Sequence, residues 1–162
     1  MRATQQDVWR LCAHLVDSAS ADDLAQDTYL RAVAALPSFR GDAPVRVWLL
    51  AIARRSCAAE IKVRQRDREL PSRPAASPAA GAQGGAHSAA PDAEFTLLLE
   101  ALDPGRRAAS VLTQMLGCSY QEAADICGCP VGTIRSRVAR ARDDLITMAA
   151  PSAAAPASSR LS

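Results

Sequence analysis

SYQEAADICGCPVGTIRSRVARARDDL, residues 119–145, decides the fold of this chain. Ser119 followed three residues later by Glu122 has the spacing of a capping box, which predicts a helix starting there. Ala123, Ala124 and Ile126 supply its small apolar face. Gly128-Cys129-Pro130 then breaks it, because glycine accepts the left-handed backbone of a helix end and proline suits a first helical turn. Beyond the break, Val131, Ile134, Val138, Ala141 and Leu145 recur at spacings of 3, 4, 3 and 4, one apolar stripe along a second helix. At about 100° per residue, Thr133, Ser136 and Arg140 fall opposite that stripe. Arg135 and Arg142 lie on one flank and Arg137 on the other. A short helix, a tight turn, and a longer helix that is apolar behind and Arg-rich in front predict a helix-turn-helix.

Pattern alone leaves two readings open. Amphipathic helices joined by a Gly/Pro turn occur in many helical bundles, and a row of arginines can be a solvated face. The wording of the stretch discriminates. It resembles the end of region 4 in extracytoplasmic-function (ECF) sigma factors, whose usual form is S-Y-x-E-x-A-x-x-x-G-x-P-x-G-T-V-K/R-S-R-x-x-R-A-R-x-x-L. That resemblance implies promoter DNA as a partner, with this helix in the major groove at the -35 element and Thr133, Arg135, Ser136, Arg137 and Arg140 as its DNA-facing residues.

The remainder of the chain is consistent with small helical units. Hydrophobic residues make up 49% of the 162 positions, but aromatics only 4%, so cores must be built from Leu, Val, Ile and Ala on helices. The net charge of +2 argues for no partner by itself; the local distribution of charge has to. No run of about 18 apolar residues and no signal-peptide core occurs, which predicts a cytoplasmic protein without a membrane partner. The five cysteines (Cys12, Cys57, Cys118, Cys127 and Cys129) form an odd set. Cys127-Gly128-Cys129 is C-x-C rather than the C-x-x-C of a zinc or thioredoxin-like site, so plain thiols are expected there, with metal binding or redox sensing as the minor alternative.

Residues 1–68 form a first unit. Val8, Trp9, Leu11, Cys12 and Leu15 give one helical face. Ser20 is placed to cap a second helix, Asp22 to Leu36, with Asp22 and Asp23 in its first turn. Leu24, Leu30, Val33 and Leu36 with Tyr29 are expected inside, leaving Asp23, Gln26, Asp27 and Arg31 as a polar face. Pro37 to Pro44 reads as a loop containing Phe39, Arg40, Gly41 and Asp42. A long helix from Val45 to about Arg68 follows, with Trp48, Leu49, Ile52, Cys57 and Ile61 turned inward. Its other face is dominated by Arg46, Arg54, Arg55, Lys62, Arg64, Arg66 and Arg68. Such density suits a phosphate backbone, or equally a solvated helix end.

Within this unit ADDLAQDTYLRAV resembles region 2.2 of ECF sigma factors (A-E-D-L-V-Q-E-T-F-L-R-A-W), and VRVWLLAIARR resembles region 2.3 (F-R-x-W-L-x-x-I-A-R-N). The segments come in the family's order and spacing, nearest to its actinobacterial sigma C type. The resemblance implies that Asp23, Gln26 and Asp27 face the β′ clamp helices of core RNA polymerase. Phe39, Arg40, Gly41 and Asp42 would form the loop over a flipped base of the -10 element, and Arg54, Arg55 and Lys62 a surface for the melted strand. It also implies a contact of region 4 with the β flap, and admits an anti-sigma factor as a partner. Two departures stand out. Arg55 replaces the family's usual asparagine, so a base contact there is absent or becomes a phosphate contact. Region 2 also normally begins about one helix earlier, so a shortened domain or a misplaced start is expected.

Residues 69–93 are rich in Pro, Ala, Gly and Ser without apolar periodicity, which predicts a flexible linker. The second unit, 94–148, opens with Phe95, Leu97, Leu98, Leu99 and Leu102, ends that helix at Asp103-Pro104-Gly105, and runs a second helix from Arg106 to Leu116. LDPGRRAASVLTQMLGCSYQEAA resembles the start of region 4, with Ala108 and Ala109 where larger residues are usual. Residues 149–162 are expected to be a disordered tail.

The expected fold is therefore all-α: two small helical domains, a region 2 bundle and a region 4 helix-turn-helix, joined by a flexible linker. The resemblance implies an initiation factor that joins core polymerase and directs it to promoters. A stand-alone helix-turn-helix regulator, or a degenerate sigma-like protein that only binds a partner, is the alternative; a simple regulator has no need of the two region 2 helices that this chain has. No Gly-rich phosphate loop, Ser/His/Asp set or metal-ligand cluster supports an enzyme, and no cofactor or metal is expected.

Overall fold

The computed structural model describes residues 2–69 and 93–150. The expected linker and tail lie outside the described residues, apart from their edge positions. Every element that is described is helical, as the small-residue, aromatic-poor composition requires.

Three helices make the first unit: α1 (Arg2–Leu15), α2 (Ala21–Ala35), which tightens into a 3-10 turn over Leu36–Ser38, and α3 (Val45–Glu69). Each packs on the other two. Val8, Leu11, Cys12 and Leu15 of α1 are buried at helical spacing against Val47, Leu50, Ala53 and Cys57 of α3. Fully burying a residue such as Leu11 or Leu50 stabilises the fold by roughly 1.5–3 kcal/mol. The α2 face differs from expectation. Leu24 is buried, but its companions are Ala21, Ala25, Thr28 and Ala32, while Leu30, Val33 and Leu36 stand in solvent and Tyr29 is half-buried. Small residues let α2 approach its neighbours closely, and that closeness decides the face. Thr28 satisfies its buried hydroxyl by donating to Leu24 O at 2.7 Å.

The α2 start also departs from expectation. Ser20 precedes the helix in a helical conformation, and its side chain caps nothing. Instead Asp17 accepts from Ser20 N at 2.7 Å and from the Arg64 guanidinium, which also donates to Ser20 Oγ (2.6 Å) and to Glu60 (2.7 Å). Burial alone would raise the Asp17 pKa, but these bonds from Arg64 and Ser20 outweigh it and hold the carboxyl below its ordinary value.

The second unit comprises α4 (Ala93–Glu100), α5 (Pro104–Ser110), α6 (Tyr120–Cys127) and α7 (Val131–Ala149). Asp103 caps α5, its carboxylate accepting from Gly105 N at 2.9 Å, with proline at the first helical position. The helix widens into a π segment over Val111–Met115 before Gly117 turns the chain at φ 65°. Leu99, Leu102, Ala108, Ala109, Val111 and Leu112 are buried with Ile126 and Ile134. Ala108 and Ala109 are thus core positions, where their small size suits the close approach of α5 to α7. Arg106 of α5 and Asp144 of α7 pair at 2.5 Å.

The two units touch. α3 lies against α6, and α1 contacts α4 and α5. Arg46 of α3 donates to Asp7 at 2.7 Å and also reaches Leu116 O and, at 3.6 Å, Cys118 Sγ. Arg107 of α5 reaches Leu15 O at 3.4 Å while bonding the carbonyls of Glu100 and Leu102 at the end of α4. A composition that predicts only a flexible connection gives no hint of this contact, because its apolar share is made of small residues and its polar share of arginines that also suit solvent.

Candidate nucleic-acid interface

The capping box at the start of α6 is complete: Ser119 Oγ accepts from Glu122 N at 3.1 Å, and Ser119 N donates to Glu122 Oε2 at 2.8 Å. At the other end Gly128 adopts φ 63° and ψ 40°, the left-handed conformation that only glycine takes at little cost. Pro130 then precedes α7. This short turn fixes the direction of α7 relative to α6.

On α7 the stripe Ile134, Val138 and Ala141 is buried, and Arg135, Ser136 and Arg140 are exposed. Thr133 is half-buried, and Ser136 Oγ donates back to Thr133 O at 3.0 Å. Gly132 leaves open space: a Cβ there would meet nothing within 4 Å. The first turn of α7 can therefore approach another surface closely. Arg137 is held differently. It is half-buried, donates to Cys129 Sγ at 3.8 Å, and lies over Gly105, where a side chain would crowd it at 3.2 Å. The expected split of this helix into a front and two flanks is thus present, with one flank tied to the body.

The first unit presents its expected residues less uniformly. Phe39 packs on Trp48 with ring centroids 4.7 Å apart, so the loop aromatic is anchored, while Arg40, Gly41 (φ 76°) and Asp42 are exposed around it. Arg55 and Lys62, seven residues apart on α3, share an exposed face. Arg54 does not join them. It is half-buried beside Cys127 of α6, and its Nε is buried without a hydrogen-bond partner. Arg46 and Arg64 of the same basic run are engaged inside the fold.

Asp23 and Gln26 are exposed on α2, and Asp27 is half-buried in a 2.6 Å pair with Arg31. Beside them Leu30, Val33 and Leu36 form an exposed apolar strip that the periodicity of large residues placed inside. The signal that could have found it is the helical spacing of Ala21, Leu24, Ala25, Thr28 and Ala32. The second unit has a counterpart, a groove lined by Phe95, Leu99, Met115, Val138, Leu145 and Ile146 beside the π segment, a feature frequent at functional sites. The described residues hold no helix long and apolar enough to cross a membrane.

Comparison with known proteins agrees with this arrangement. The chain matches Sigma-70 region 2 over residues 1–67 and Sigma-70, region 4 over residues 92–145. It is 49% identical over 154 residues to the ECF RNA polymerase sigma factor SigC of Mycobacterium tuberculosis, covering 93% of this chain and 82% of that one. To the ECF RNA polymerase sigma-E factor of Escherichia coli it is 35% identical over 151 residues, covering 86% and 78%. Among solved structures, the sigma factor RpoE in complex with the anti-sigma factor NepR from Bartonella quintana superposes with a TM-score of 0.74 at 31% identity, covering 90% of this chain and 91% of that chain. A helix-turn-helix behind a three-helix region 2, each matched in its place, makes this chain a member of the extracytoplasmic-function RNA polymerase sigma factors.

Proposed function

We propose that this sigma factor engages promoter DNA through two separate surfaces and the polymerase through two others. In region 4 (residues 94–148) α7 enters the major groove at the -35 element. Arg135 or Arg140 reads base edges there, Thr133 and Ser136 lie close to the bases, and Arg137 holds the backbone. In region 2 (residues 1–68) the loop Phe39, Arg40, Gly41 and Asp42 stands over a flipped base of the -10 element. Arg55 and Lys62 hold the melted strand, and Arg54 joins them once α3 is clear of α6. Residues 69–93 serve as the linker that lets the two units reach elements two to three turns apart, at about 34 Å per turn.

For the polymerase, Asp23, Gln26 and Asp27 dock on the β′ clamp helices together with the apolar strip Leu30, Val33 and Leu36, and the groove of region 4 receives the β flap. The Bartonella complex supports an anti-sigma factor as a further partner class. The protein works in the cytoplasm. One observation carries the reading: α2 exposes large apolar residues beside carboxylates, a surface that a stand-alone helix-turn-helix regulator has no use for. Run-off transcription with core polymerase and a pool of the source genome's upstream regions tests it. A specific transcript dependent on this protein is expected. Duplex binding without any transcript would favour the stand-alone regulator.

A further inference from the structure

The turn of the helix-turn-helix carries two thiols that DNA binding leaves without a task. Cys127 ends α6, Gly128 follows in the left-handed region, and Cys129 leads into Pro130. Gly128 N bonds Asp125 O at 3.3 Å and Cys129 N bonds Ala124 O at 3.1 Å, the two backbone bonds of a Schellman helix end. Two residues apart in an extended chain span about 7 Å, and the left-handed residue between these two shortens that span. A disulfide needs Cα atoms roughly 4.4–6.8 Å apart. By this reckoning the Cα span allows a bridge once the two sulfurs turn toward each other.

The surroundings of the two sulfurs differ in a useful way. Cys129 is half-exposed and its Sγ accepts from the Arg137 guanidinium at 3.8 Å. Cys127 is buried, and Arg54 lies against it. Burial pushes the Cys127 thiol up, and Cys129 beside it adds to this, while the cationic Arg54 and Arg137 pull the other way. A half-exposed thiol beside a cation and a buried thiol two residues away have the placement of an attacking and a resolving cysteine. Cys12 and Cys57 also neighbour each other, but both are wholly buried between α1 and α3.

We propose that Cys127-Gly128-Cys129 is an oxidation site for hydroperoxides, and that its disulfide form releases -35 DNA. The Cys129 thiolate attacks one oxygen of hydrogen peroxide; the O–O bond breaks, and the departing hydroxide takes a proton and leaves as water. Cys129 is then a sulfenic acid. The Cys127 sulfur attacks the Cys129 sulfur, the S–S bond forms, the S–O bond breaks, and the oxygen leaves as a second water with the thiol proton. Two electrons pass from the thiols to the peroxide. Bringing the sulfurs to about 2.05 Å draws Cys129 off Arg137 and Cys127 away from Arg54. The turn that aims α7 is thereby rebuilt, and the DNA-facing side chains move with it. The consequence for DNA rests on the reading of α7 as the -35 helix; the thiol chemistry does not.

The test uses the full-length chain titrated with hydrogen peroxide, with alkylation and peptide mass mapping in one arm. In the other arm, fluorescence anisotropy follows a labelled pool of duplexes from the source genome's upstream regions. A Cys127–Cys129 link is expected before any other thiol is oxidised, with affinity at least tenfold lower and restored by dithiothreitol. C129S should bind as the reduced protein does and ignore peroxide, while C118S keeps the response. A first link at Cys12–Cys57, over-oxidation without a Cys127–Cys129 link, or that link without loss of affinity would each overturn the proposal. Failure of the reduced protein to bind any duplex would refute the reading of α7 instead, and the mapping arm would still decide the chemistry.

Discussion

Truncating the exposed strip of α2 separates partner binding from folding. Leu30 is 65% exposed and Val33 70%, so neither contributes much to the core. Leu→Ala removes three carbons and Val→Ala two, each worth about 0.8 kcal/mol when buried. Scaled by the fraction that a partner can still cover, the double change removes about 1.6 plus 1.1, or about 2.7 kcal/mol, of docking energy. At about 1.4 kcal/mol per factor of ten, binding to core polymerase weakens by roughly 80-fold. Stability should stay within about 0.5 kcal/mol, because both positions are exposed and alanine is the best helix former. The assay is a titration of labelled protein with core polymerase, alongside thermal unfolding of the L30A/V33A chain. Unchanged affinity with unchanged stability would refute the docking role. A chain that unfolds by several kcal/mol would refute the exposed placement of the strip itself.

Three further outcomes follow from the same geometry. Asp17 is held below its ordinary carboxylate value, so its contribution is present above the unfolded pKa and is lost as pH falls through the lower folded value. D17N should cost about 1 kcal/mol at pH 7, discounted for partial exposure, and thermal unfolding at pH 7 and pH 3 should find the gap from wild type narrower at pH 3. S119A removes the hydroxyl of a complete capping box and should cost about 1 kcal/mol in urea unfolding, read from the midpoint. R140A or R135A should relax preference at one -35 position at a cost of about 1–3 kcal/mol, whereas R137A should weaken all duplexes alike and lower the salt slope by about one; anisotropy at two salt concentrations separates them.

Local rules read α7 and its approach well, because every feature there is encoded within a few residues. A capping box needs only Ser119 and Glu122, a left-handed helix end needs Gly128, and the stripe Ile134, Val138 and Ala141 declares itself by spacing. α2 was harder for a physical reason. Size suggested that Leu30, Val33 and Leu36 belong inside, but the face a helix buries depends on how near its neighbours come, and Ala21, Ala25 and Ala32 allow a close approach. Exposed large residues that cluster, as these three do, mark interaction surfaces rather than single exposed side chains, so the same misreading supports the docking surface proposed for α2. Ser20 shows the complementary failure: its type and place suit a cap, but Asp17 and Arg64 take its hydrogen bonds first.

The arginines mark where sequence reasoning stops, since a guanidinium suits a phosphate, a carbonyl or a carboxylate equally well. Arg55 and Lys62 stand in solvent as the basic run suggests. Arg46 and Arg64, from the same run, spend their donors on Asp7, Asp17, Glu60 and the carbonyl of Leu116. Only the fold decides between these uses, because every one of these partners except Glu60 lies outside α3. Arg54 is the instructive case. Its Nε is buried without a partner, an arrangement that costs on the order of 1–3 kcal/mol. A residue left in that condition at a contact between two units gains its missing bond when the contact opens and an acceptor arrives. In the function proposed above, a DNA phosphate supplies one. On that proposal the orphaned donor lowers the cost of parting α3 from α6 when the two units engage separate promoter elements.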